Sequence, residues 1–171
     1  LNPENRLIDF FVTREINKIE DWVLSPKYRT FTPSISEFWD YSQVEEGLIK
    51  QRIHSDEAYA TEFRLWIDNN QSTLQNNSLT KVAQAHLFFI TDDFQSSYDL
   101  LKDAKFKDNS LVDWQQRELN LLKLAIDNSP KLRDVNLVDF AKLPIEDRSP
   151  YIFLFARFFE TKNQLTDAAI M

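Results

Sequence analysis

A chain of 171 residues with 43% hydrophobic and 13% aromatic side chains has enough apolar mass for one packed domain, or one stretch of a helical solenoid, and too much for a disordered segment. A net charge of −7, with Lys and Arg scattered along the chain, argues against nucleic acid or an anionic membrane surface as partner. The absence of cysteine excludes disulfides, thiolate nucleophiles and Cys-based metal sites, and a single glycine, Gly47, against about 7% in ordinary chains, argues against phosphate loops, tight hairpin turns and oxyanion nests.

The first helix is expected to start near Pro3 behind Asn2 as N-cap, and to present Ile8, Val12, Ile16, Ile19 and Val23 on one face. Pro26 should end it, with residues 25–34 (SPKYRTFTPS) as a loop. Ser34 and Glu37 form a capping-box pattern for a second helix with Phe38, Tyr41, Val44 and Leu48 buried and Gly47 inside that stripe. Ser55 caps a third helix running to about Asp68, with Tyr59, Phe63, Trp66 and Ile67 turned inward. The polar stretch 69–77 (NNQSTLQNN) reads as a linker between an N-terminal helical segment, 1–70, and helical hairpins over 78–171.

From Ser78 onward the spacing predicts helices over 78–91, 93–105, 110–126, 131–142 and 149–161, with Ser110 and Ser149-Pro150 as starts. No segment sustains period-two alternation, and 135–140 (VNLVDF) is the one piece with any strand character. The fold class is therefore all-α. The longest apolar run, Tyr151 to Phe159, contains Arg157 and is about half a membrane span. The chain opens on Leu1 and stops at Met171 inside an apparent helix, so it reads as a piece of a larger protein. Cytoplasm, periplasm and cell surface all suit a cysteine-free chain, and the oligomeric state is left open.

One self-similarity stands out. In 85–104 (AHLFFITDDFQSSYDLLKDA), Ala85, Phe88, Asp93-Phe94, Ser97, Leu101 and Ala104 alternate small and large residues across two helices and a turn. Ala156, Phe159, 163–165 (NQL) and Ala168 repeat the pattern, with Ser97 and Ala168 71 residues apart. This pattern resembles the tetratricopeptide repeat, whose period is about 34 residues. The family's turn glycine is replaced by Asp92 or Lys162. The resemblance implies antiparallel hairpins stacked as a short right-handed solenoid, with one intervening hairpin over about 110–142 and a concave face that binds a peptide or partner protein. First-helix residues line that face in the family, which nominates Gln84, Phe88 and Arg157 as partner-binding residues.

Candidate chemistry is sparse. His54, Asp56 and Glu57 carry possible metal ligands, but adjacent residues do not converge on one helix face, and a capped helix start explains the acidic turn. His86, on a mostly apolar helix, reads as a hydrogen-bonded core or groove histidine. The pairs Glu45-Glu46, Asp92-Asp93 and Glu146-Asp147 read as solvated surface. Trp22, Trp39, Trp66 and Trp114 read mainly as core, with a minority role in a groove. The adjacent pairs Phe10-Phe11, Phe88-Phe89 and Phe158-Phe159 are expected to need neighbours on two sides, because successive helical residues point about 100° apart. No catalytic residue, metal or cofactor is expected. The favoured expectation is a non-enzymatic interaction module; the alternative is the soluble domain of a membrane-embedded envelope-glycan enzyme whose catalytic residues lie elsewhere.

Overall fold

The apolar spacing of four, four, three and four at the start of the chain produces the helix it predicts. In the computed structural model, which describes residues 7–28, 46–74, 77–128, 130–131 and 145–170, α1 spans Ile8–Tyr28 and buries Ile8, Val12, Ile16, Ile19 and Val23. Each such side chain contributes about 1.5–3 kcal/mol through removal from water. The helices that follow are α2 Glu46–Asn69, α3 Asn77–Ile90, α4 Phe94–Lys102, α5 Asn109–Ile126, α6 Ile145–Thr161 and α7 Leu165–Ile170. Among the described residues there is no strand, and the protein is all-α.

The chain forms two compact units, Leu1–Leu100 and Leu101–Met171. In the first, each of α1, α2 and α3 packs against the other two. Asp68 meets Gln84 and Arg64 meets Phe88, so α2 and α3 run antiparallel. Within the expected linker 69–77, residues 69–74 form a hydrogen-bonded turn. Asn70 N–H donates to the Ile67 carbonyl at 3.1 Å and its side-chain amide to the Trp66 carbonyl at 2.7 Å, while Thr73 and Leu74 N–H both donate to the Asn70 carbonyl. Leu74 is buried beneath this turn.

In the second unit α5 packs on α6, and α6 packs on α7. Leu121, Leu122, Leu124 and Ala125 of α5 are buried, as are Phe155, Phe158 and Phe159 of α6. Gln115 reaches from α5 to donate its amide to the carbonyls of Leu101, in the last turn of α4, and Ala104, two residues past it, tying this chain end to α5.

Two helix ends are built alike. After α3, Asp92 takes a left-handed φ of 61°; after α6, Asn163 takes 59°. Asp92 N–H donates to Phe89 O and Asp93 N–H to Phe88 O, the two bonds of a Schellman motif. Asn163 N–H to Glu160 O and Gln164 N–H to Phe159 O repeat them 71 residues later. Thr91 N–H to Leu87 O and Ser97 N–H to Asp93 O recur at the same offset as Lys162 N–H to Phe158 O and Ala168 N–H to Gln164 O. Aspartate and asparagine are the non-glycine residues that best tolerate this backbone, which is how so glycine-poor a chain makes the turn. In the second turn the left-handed position belongs to Asn163, not Lys162.

Several boundaries differ from the sequence reading. Pro26 does not stop α1, which continues to Tyr28 at the cost of one i→i−4 bond, the one that a residue 26 N–H would make to the Trp22 carbonyl. Ser55 is not a cap but lies in the middle of α2, since nothing in 48–54 breaks the helix before it. α5 is capped by Asp108, whose carboxylate accepts the N–H groups of Ser110 and Leu111, so the cap sits two residues ahead of Ser110. α6 starts at Ile145, upstream of Ser149-Pro150. Tyr59 faces outward at 37% exposure while Phe63 and Ile67 face the core. Only Phe158-Phe159 is buried at both positions: Phe10 is 62% exposed and Phe88 half-buried. Trp22, Trp66 and Trp114 are half-buried rather than enclosed. The expected helix start at Asn2-Pro3, the stripe 38–44, Trp39 and the segment 132–142 lie outside the described residues.

Candidate functional site

Helical spacing places Gln84 and Phe88 one turn apart on α3, facing Arg64 and Asp68 one turn apart on α2. The four side chains form a closed set. Arg64 Nη1 donates to Asp68 Oδ2 at 2.8 Å, Gln84 Nε2 donates to Asp68 Oδ1, and the Arg64 guanidinium lies 4.4 Å from the Phe88 ring centroid. Gln84 is only 5% exposed, so its amide serves this contact, whereas Phe88 and Arg64 remain half-exposed at the rim. Behind them, Ser97 Oγ of α4 donates to the Ala85 carbonyl at 2.8 Å, both residues being buried, and Phe94 meets Phe89 edge to face. Two small residues let α3 and α4 approach at that point.

Arg157 belongs to the second unit. It sits on α6 between Phe153, one turn earlier, and Glu160: the guanidinium lies 5.9 Å from the Phe153 ring and is ion-paired to Glu160. Phe153 is 41% exposed. The nominated residues thus fall into two sets, Gln84 with Phe88, and Arg157 alone, each on the helix that precedes a left-handed turn.

Two further clusters were not legible from the sequence. On α1, Glu15, Lys18 and Trp22 share one face, and Tyr59 of α2 closes over them. Tyr59 OH donates to Glu15 Oε1 at 2.8 Å, Lys18 is ion-paired to the same carboxylate, and Lys18 Nζ lies 4.6 Å from the Trp22 ring and 5.0 Å from the Tyr59 ring. Burial pushes the Glu15 carboxyl up, but hydrogen bonds from Lys18 and Tyr59 and the charges of Lys18 and Arg14 outweigh it, leaving Glu15 below its usual range. Burial, then the bond to anionic Glu15, pushes the Tyr59 hydroxyl up to about 12. Further along α2, burial raises Asp56 against the opposing charge of Arg52. Elsewhere His86 Nε2 of α3 lies 3.3 Å from Glu20 Oε2 of α1 and stacks on Phe89, the hydrogen-bonded histidine its setting suggested.

His54 is exposed on α2, and among the described residues no group of three His, Asp or Glu side chains is placed to hold a metal ion. No helix among them is long and apolar enough to cross a membrane. Spacing along one helix could have found Arg64–Asp68 and Glu15–Lys18; their partners on the other helix carry no sequence signal. Comparison with known proteins finds no family model, curated protein or solved structure that matches the chain.

Proposed function

We propose that this chain is a non-enzymatic protein-interaction module whose C-terminal part is a short tetratricopeptide-like array of helical hairpins. The observation that carries this reading is the regular placement of first-helix ends. α3, α5 and α6 finish at Ile90, Ile126 and Thr161, in steps of 36 and 35 residues, near the period of about 34 in that family. The matching turns at Asp92 and Asn163, and the Ser97–Ala85 contact at the small positions of the first hairpin, add to it. In such an array the first helices line a concave face that receives an extended or helical peptide, and the candidates for that role are Phe88 on α3, with Arg64 of α2 against its ring, and Arg157 with Phe153 on α6. At either place, an arginine laid on an aromatic ring suits a peptide with an acidic group beside an apolar one.

Selection of a displayed random peptide library on the intact chain tests this. Enriched peptides should lose at least about tenfold in affinity, near 1.4 kcal/mol, to Phe88→Ala or Arg157→Ala, with the helical circular dichroism unchanged. Failure to enrich any peptide, or peptides indifferent to both substitutions, removes the reading.

A further inference from the structure

Between α1 and α2 the molecule holds a cation in an acidic and aromatic cradle, and that cation is its own Lys18. The Nζ stands between the Trp22 and Tyr59 rings, 4.6 and 5.0 Å from their centroids, and against the Glu15 carboxylate. Tyr59 holds Glu15 in place through its hydroxyl at 2.8 Å. Glu15, Lys18 and Trp22 meet through helical spacing, but the second ring, with the hydroxyl that holds Glu15, comes from α2, so local periodicity does not explain the set.

Two ring faces and a carboxylate around one ammonium are the chemistry by which proteins recognise alkylammonium groups. Lys18 is a flexible occupant: its side chain is 34% exposed and its four-carbon stem lets the head swing into solvent, while Tyr59 keeps an open edge at 37%. We propose that this cradle is a binding site for a lysine side chain presented by a partner segment, which Lys18 fills in cis until the partner displaces it. A net charge of −7 favours approach of a basic segment. The site does not rest on the hairpin reading, because α1 and α2 lie outside α3–α4 and α6–α7, and either can fail alone.

The test uses the full chain with Lys18→Ala and Lys18→Gln, the second retaining most of the stem if the first disturbs folding. Two probes are titrated, n-butylammonium and a short peptide with one lysine flanked by glycines, with norleucine in place of lysine as control. The readout is the Trp22 indole N–H resonance, assigned by Trp22→Phe. The lysine peptide should saturate both variants, bind the wild-type chain about tenfold more weakly because Lys18 competes from within, and lose about tenfold to Tyr59→Leu added to either variant. An indole resonance that moves with neither probe in a folded variant overturns the proposal. So does a response kept by the norleucine peptide, or one insensitive to Tyr59→Leu. Butylammonium binding as tightly as the peptide overturns the assignment to a partner segment in favour of a free amine.

Discussion

Asp92 and Asn163 hold the left-handed backbone on which the turns after α3 and α6 depend, at φ 61° and 59°. A side chain with an ordinary Cβ and no local polar group disfavours that conformation by about 1–2 kcal/mol relative to glycine. Glycine gives back about 0.4–1 kcal/mol through the greater freedom of its unfolded chain. The Gly variant should therefore be more stable than the Ala variant by about 1 kcal/mol at each site, with native Asp or Asn between them or near the glycine value. For units of 100 and 71 residues, about 1 kcal/mol moves the thermal midpoint by about 4–8 °C. Differential scanning calorimetry of Asp92→Ala, Asp92→Gly, Asn163→Ala and Asn163→Gly measures this directly. Alanine equal to or above glycine at either position would show that the turn there is not left-handed, and different orderings at the two sites would break their equivalence.

Ser97→Ala should cost about 0.5–1.5 kcal/mol through loss of the bond to the Ala85 carbonyl, whereas Ser97→Leu should cost about 1–3 kcal/mol by forcing α3 and α4 apart; equal denaturation midpoints for the two variants would contradict the close approach. Glu15 titrates lower folded than unfolded, so its stabilisation is present above the unfolded value and is lost as pH falls through the folded one; Glu15→Gln should flatten the acid limb of a plot of thermal midpoint against pH. Tyr59 runs the other way, from 10.0 to about 12, so its contribution is complete below pH 10 and disappears as pH rises through about 12; Tyr59→Phe should remove that alkaline loss. Asp56 is raised by burial, which makes its ionised form a liability above its folded pKa. Asp56→Asn should thus raise stability at neutral pH by about 0.5–1 kcal/mol, the lost Arg52 pair offsetting part of the gain, and a lower midpoint would contradict this.

What could be read from the sequence follows from how far each signal reaches. The α1 stripe was legible because its spacing is local and long enough to exclude a strand. The scarcity of glycine pointed to turns made with Asn and Asp, and Asp92 and Asn163 make them. Helix starts were misread where a good cap residue stood in a sequence that had not yet stopped being helical. Ser55 followed by Asp56 and Glu57 looks the same at a helix start and in mid-helix, and the deciding signal was the lack of any proline or glycine over 48–54. Pro26 and Pro150 are the converse case: each removes a single backbone bond, and the helix around it runs on, to Tyr28 in α1 and back to Ile145 in α6. The candidate site was half legible. Gln84, Phe88 and Arg157 lie on the helices expected of them, but burial of Gln84 against Asp68 depends on a contact 16 residues away. The Tyr59–Glu15 and His86–Glu20 contacts span 44 and 66 residues, and no pattern in one helix encodes the position of another.

The account stands most directly on where a bound peptide touches the chain. Backbone amide chemical-shift mapping of the 15N-labelled protein with a peptide from the library selection answers that. Perturbations concentrated on α3 around Phe88, or on α6 around Phe153 and Arg157, are the predicted result. Perturbations confined to the second helices α4 and α7, with the first helices silent, would contradict it.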